Sequence, residues 1–370
     1  MPLPPRWPKY RHRPEPPSTP VTDDVIRAER LRGSWLLISF LALFAAAAAG
    51  LTIGPADIGA RAAIVEVLDH LPFLRVDSGL STIQRNIVWE VRAPRVALGL
   101  LVGSALALAG GSYQAVFRNP LADPYLLGTA AGAGLGATLA IVSDVGDGVG
   151  ALDPVPLSAF AGAITAVALT WGLGAAGDSR RSPASLLLAG VAVAAFLTAM
   201  QTYVLQRNVD TIREVYQWIL GRLNIASWES VVVLLPYVVV SAAVILTYAR
   251  VLDVMSVGDA EATTLGIRPG RTRAIIVVAA TLATAAAVAA SGLIAFVGLI
   301  VPHTVRLLFG TSNRVVLPLS AILGAAFLVA VDLVARTISS PAEIPIGVVT
   351  AVFGAPFFIV VLRSSRRFLA

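Results

Sequence analysis

From residue 33 onward the chain alternates between uncharged apolar stretches of about 20 residues and short charged connections. That alternation constrains it more than any other feature. A helix crossing about 30 Å of hydrocarbon needs about 20 apolar residues, and inside lipid the backbone has to satisfy its own polar groups. Gly33 to Pro55, Val96 to Phe117, Pro124 to Ser143, Pro154 to Gly177, Ser182 to Gln206, Ser230 to Ala249, Val315 to Val331 and Ile344 to Leu362 each suit one span. Ala274 to Val305 holds no formal charge over 32 residues, about 48 Å of helix, which is too long for one upright crossing. Ser291-Gly292 predicts a break there, with Gly298 and Pro302 loosening the second half. The reading is an all-α polytopic membrane protein of ten transmembrane helices. Composition agrees, because 56% apolar and 14% charged residues leave too little polar surface to cover a water-soluble globule of this length.

An even number of spans puts both ends on one side, and the cationic residues choose which. Lys9 stands alone beside 27 arginines. With the tail and the loops after spans 2, 4, 6 and 8 on one side, that side carries 19 of the 28 cations and the other carries 9. The short loops holding Arg180-Arg181 and Arg268 to Arg273 follow the same bias, so both termini are expected to be cytoplasmic. Residues 1–32 interleave proline with arginine and read as a disordered cytoplasmic tail ahead of a transmembrane region, 33–370. A signal peptide is disfavoured by the long charged segment and the lack of a small-residue cleavage site.

Several chemistries are missing. The absence of cysteine removes thiol catalysis, disulfides and Cys-ligated metal sites. A phosphate-binding P-loop needs a lysine after its glycines, and Lys9 follows Pro8, so the chain is not expected to bind ATP by that motif. Gly132, Gly134 and Gly136 lie inside an uncharged span and read as helix packing. His12, His70 and His303 have no metal-ligand partner at helix spacing. Ion-coupled carriers use ionisable groups at membrane depth, whereas here only Asp332 and Arg336, one turn apart near the outer end of the ninth span, come close and can pair with each other. An ion-gradient-driven secondary transporter is the competing class, and this scarcity argues against it. A membrane enzyme would need paired catalytic groups that the sequence lacks. Energy for transport therefore has to enter from another chain.

The loop 252–271 can receive it. Asp259 to Leu265 predicts a short helix with acids in its first turn and Gly266 closing it, and the small Ala260, Ala262, Thr263 and Thr264 suit a groove on another protein.

Eight motifs fall in one order: Arg92-Ala-Pro-Arg95, Gly110-Gly-Ser-Tyr-Gln114, Arg118-Asn-Pro-Leu-Ala-Asp-Pro124 with Leu127-Gly128, Leu186 to Gly190, Gly258-Asp-Ala-Glu-Ala-Thr-Thr-Leu-Gly266, Gly292 to Leu299 with Pro302-His303 and Arg306, Asp332 to Arg336, and Glu343 to Gly347 through Gly354-Ala-Pro-Phe357. With these motifs the chain resembles the FecCD/BtuC-type permeases of bacterial ABC importers, over Arg92 to Arg363. The resemblance implies a type II importer permease in the bacterial inner membrane, paired with a second copy and moving a bulky iron chelate. A siderophore comes first, haem second and cobalamin third. It implies two ATPase subunits carrying the ATP and magnesium, an extracytoplasmic substrate-binding protein and no cofactor in this chain. No nucleic-acid partner is expected.

By the same resemblance, Gly258, Asp259, Glu261, Ala262, Leu265 and Gly266 form the helix that couples to the ATPase. Arg92, Arg95 and Arg336 receive glutamates of the binding protein, as guanidinium forks suit carboxylates. The local alternative pairs Arg336 with Asp332 or Arg92 with Glu90, or sets the arginines against lipid headgroups. Asn119 and Leu121 form one gate. Pro183 and Ala184 stand at the other, where relatives often carry small hydroxyl residues. Thr211 to Leu223 is either a short outer helix lining a vestibule or an interfacial helix anchored by Trp218.

Overall fold

The structure is a computed structural model that describes residues 31–54, 56, 58–70, 76–144, 153–176 and 183–366. The proline- and arginine-rich tail through residue 30, and Arg180-Arg181, lie outside the described residues.

Among the described residues every regular element is helical. In chain order these are α1 (Gly33–Thr52), α2 (Ala60–Asp69), α3 (Thr82–Asn86), α4 (Ala93–Phe117), α5 (Thr129–Val142), α6 (Pro154–Ala176), α7 (Pro183–Arg207), α8 (Ile212–Ile219) and α9 (Trp228–Thr247). There follow α10 (Ala249–Val257), α11 (Asp259–Thr264), α12 (Pro269–Ser291), α13 (Val297–Phe309), α14 (Asn313–Thr337) and α15 (Ile346–Arg366). Seven helical stretches are long and apolar enough to cross a membrane, and α5, α13 and the apolar part of α15 are three shorter apolar helices that complete the expected ten. The predicted break at Ser291-Gly292 is present, because Gly292 caps α12 with φ at 72°. After it α13 spans 13 residues, about 20 Å, roughly two thirds of a hydrocarbon layer.

One boundary differs. The second span was expected to begin at Val96, with Arg92 and Arg95 in a loop, whereas helix runs unbroken from Thr82 to Phe117 over 36 residues. The join is a π turn, Ile87–Arg92, directly ahead of Pro94. Proline has no N–H and its ring crowds the carbonyl four residues back, and the wider π turn relieves that clash without ending the helix.

α4 lies at the centre, buried along most of its length with only Ala97, Leu100, Leu101 and Ser104 partly exposed along one face, and is packed by α9, α12, α13 and α14. Glycine makes this possible. A Cβ on Gly103 would overlap the backbone of Gly324 in α14, and one on Gly110 the backbone of Gly298 in α13. Without a hydrophobic drive between helices in lipid, such close backbone approach supplies the packing. At the periphery α1 exposes Leu37, Leu41 and Phe44, and α7 exposes Leu188, Val191 and Phe196, as lipid-facing helices do.

Candidate functional site

At one end of the bundle the chain leaves α10 through Gly258 and makes the six-residue α11. Asp259 and Glu261 occupy its first turn, where the helix dipole favours anions. Gly266 closes it with φ at 79°, its N–H bonded to the Thr263 carbonyl at 2.9 Å, while the Ile267 N–H reaches the Ala262 carbonyl at 3.0 Å. This stub has the form the sequence predicted, with one correction. Ala262 is fully buried, so its small side chain serves the packing of the stub on its own chain and not the fit to a partner. Leu265 and Val257 point away from the chain, 69% and 75% exposed, beside the exposed Ala260, Glu261, Thr263 and Thr264.

Two guanidinium groups hold Asp259. Arg118 donates to its Oδ1, and Arg273 of α12 reaches Oδ2 at 3.2 Å. Burial alone would raise the Asp259 carboxyl; Arg273 and then Arg118 outweigh it and hold the group below its ordinary 3.8. Farther back on α10, Asp253 accepts from the Ser312 hydroxyl at 2.7 Å and from the Asn313 N–H, so it covers the start of α14.

Between stub and bundle centre lies the turn that carries the first expected gate. Asn119 accepts the Leu121 N–H on its Oδ1 at 2.9 Å and the Ala122 N–H on its carbonyl at 3.0 Å. Pro120 and Leu121 line a narrow cleft with Phe296, Leu299, Ile300, His303 and Phe357. His303 meets Phe357 edge-on at 5.7 Å between centroids, the packing role of an aromatic neighbour. The second expected gate stands apart from that cleft. Ala184 is exposed in the first turn of α7, and the Pro183 side chain lies outside the described residues.

At the opposite end the three expected docking arginines gather, but each is buried and occupied. Arg95 Nε and Nη2 grip the Asp332 carboxylate at 2.9 to 3.1 Å, and its Nη1 and Nη2 reach Glu343 at 2.8 and 3.0 Å. Arg92 turns from Glu90 to the carbonyls of Leu51, Thr52 and Ala56, at 2.6 to 2.9 Å. Arg336 donates to the Gly50 carbonyl at 2.6 Å and stands 3.9 Å from Asp332. Local partners therefore engage all three arginines: the expected pair of Arg336 with Asp332 is present, with Arg336 Nε left without a hydrogen bond among the described residues, whereas Arg92 takes backbone carbonyls in place of Glu90. The pair of Asp332 with Arg336 one turn away was read from the sequence, whereas the shorter contact of Asp332 with Arg95 on another helix was missed. The signal was available, since three charges next to apolar spans persist only when paired. Glu343, 37% exposed, is the open side of the cluster, next to a cavity of about 270 Å³ lined also by Arg222 and Gln217.

α8 is the expected helix between Thr211 and Leu223. Trp218 is 4% exposed and packs on Ala285 and Val288, which overturns its reading as an interfacial anchor.

A solved metal-chelate type ABC transporter in an inward-facing conformation superposes on this arrangement with a TM-score of 0.78 at 27% identity, covering 90% of this chain and 100% of that one. Ten helical spans, a central α4 and a short ordered helix between two spans define the membrane-spanning permease of a type II ABC importer. Residues 37–364 match the FecCD transport family, and the chain belongs to it. The cobalamin import system permease protein BtuC of Halobacterium salinarum is 42% identical over 286 residues, 77% of this chain and 76% of that protein. The Fe(3+) dicitrate transport system permease protein FecD of Escherichia coli is 38% identical over 280 residues, 76% of this chain and 86% of that one.

Proposed function

We propose that two copies of this chain form the path of an ATP-driven importer for a bulky metal chelate in the bacterial inner membrane, with both termini cytoplasmic. A ferric chelate is the first candidate cargo, as the name of the Escherichia coli relative supports. Cobalamin gains weight from the Halobacterium relative, and haem rests on the family resemblance alone. Two ATPase subunits bind at the stub end and hydrolyse the nucleotide, since the chain has no lysine with which to build its own phosphate loop. The observation that carries this reading is the stub itself. Ala262 anchors it inward while Val257 and Leu265 present bare apolar surface outward, a rigid part offered to a partner.

ATP binding would move the paired stubs as rigid bodies and rock the spans attached to them. The turn 119–124 and the start of α7 at Pro183 and Ala184 form the gates. An extracytoplasmic binding protein docks at the other end over Arg92, Arg95 and Arg336. Arg92 and Arg336 secure the end of α1 there, and Arg95 accepts an incoming carboxylate by exchanging it for the half-exposed Glu343.

The test is uptake by the co-expressed permease, ATPase and binding protein in proteoliposomes, with ferric citrate, a ferric hydroxamate, haemin and cyanocobalamin as probes. One probe accumulates with ATP at the stub face. Failure of all four to accumulate contradicts the reading.

A further inference from the structure

Arg118 ends α4 in a left-handed backbone, φ 49°. Side chains with a Cβ disfavour that conformation, and helix ends that use it ordinarily carry glycine. Here the position holds an arginine whose side chain is committed twice. Nε donates to the Met255 carbonyl in α10 at 2.7 Å, and Nη2 donates to the Asp259 carboxylate at the head of α11. Arg273, 5% exposed, clamps the other oxygen of that carboxylate to α12. One residue further along the chain from Arg118 the gate turn begins. Pro120 and Pro124 stiffen it, the two Asn119 hydrogen bonds close it, and Pro124 seats against Gly298. Arg118 thus ties the stub by hydrogen bonds to the residue where the gate turn begins, alongside the apolar cluster that Ala122 shares with Leu252, and the segment between them has little slack.

We propose that Arg118 is the strut that delivers movement of the stub to the gate at residues 119–124, with Asp259 as its socket and Arg273 holding the socket to α12. Arg118 is a positioning residue here, since it touches neither cargo nor nucleotide. The inference rests on the proposed reading that the stub meets an ATPase and that the turn is a gate. A parallel contact, Asp253 with Arg314 at 3.4 Å, ties α10 to α14 and bypasses the turn.

The absence of cysteine allows a clean test. In the permease–ATPase complex carrying Leu121→Cys, labelling of that thiol by a maleimide is compared with ATP plus vanadate and without nucleotide. The strut predicts a nucleotide-dependent change that Arg118→Gln abolishes while ATP hydrolysis continues. Arg118→Lys, which keeps the charge but cannot serve Met255 and Asp259 together, restores part of the change. Arg314→Gln leaves it whole. Should Arg118→Gln not assemble, Asp259→Asn breaks the same link from the other side and predicts the same loss. A full change in Arg118→Gln, or its loss in Arg314→Gln as well, overturns the strut. No change in the complex bearing Leu121→Cys alone overturns the gate reading beneath it instead.

Discussion

Gly298 sits where α13, α4 and the gate turn converge, and replacing it with alanine tests whether backbone contact holds the centre of this bundle. A Cβ there would stand 2.8 Å from Pro124 Cδ, 2.9 Å from the Leu106 carbonyl oxygen and 3.0 Å from Pro124 Cγ. Neither a proline ring nor a helix carbonyl can rotate away, so α13 has to withdraw by several tenths of an ångström. Overpacking of this kind costs about 1–3 kcal/mol. Withdrawal also stretches the 3.0 Å hydrogen bond from Gln114 Nε2 to the Gly298 carbonyl, at a net cost of about 0.5–1.5 kcal/mol. Gly298→Ala is therefore expected to destabilise the fold by about 2–4 kcal/mol. Gly172→Ala in α6 is the control, because nothing lies within 4 Å of its Cβ position. It should be neutral or gain up to about 1 kcal/mol from helix propensity. Equilibrium unfolding in mixed micelles reads both. A Gly298→Ala protein as stable as the parent would refute the argument that glycine sets the distance between these helices.

The buried ion cluster gives a graded expectation. Asp332→Ala strands Arg95 beside a buried gap and should cost about 3–5 kcal/mol, whereas Glu343→Ala removes the exposed partner and should cost about 1 kcal/mol or less, read in the same unfolding assay. Leu265→Glu changes an exposed side chain of the stub, so the protein should unfold as the parent does while ATP-driven uptake falls to background in proteoliposomes. The Asp259 contacts make a pH prediction. Its carboxyl is lowered in the folded chain, so its contribution is fully present above 3.8 and is lost only as pH falls through the still lower folded value. The ratio of labelling with nucleotide to labelling without it at position 121, which takes out the thiol's own ionisation, should then stay constant from about pH 8 to about pH 5, and a midpoint near neutrality in that ratio would contradict the assignment.

The spans were legible because charge-free length is a one-dimensional property, and even the Ser291-Gly292 break could be read from excess length and a glycine. The stub was legible too, since acids and a closing glycine are local signals. What stayed hidden was pairing across distance. Arg95 meets Asp332 237 positions away, and Arg118 meets Asp259 141 away, through helix packing that sequence periodicity does not encode. The helical course through Arg92-Ala-Pro-Arg95 was hidden as well, because a π turn absorbs the proline that would otherwise signal a boundary. The inward face of Ala262 could not be told from an outward one, since alanine suits both.

In the proposed importer the energy enters from a separate ATPase chain. The most direct measurement is chelate accumulation in vesicles under exchanged driving forces, with the same protein and the same probe. ATP at the stub face, with the ATPase and binding protein present and no ion gradient, should load the vesicles. Concentration of the chelate by the permease alone, under a proton or sodium gradient without nucleotide, would contradict the account.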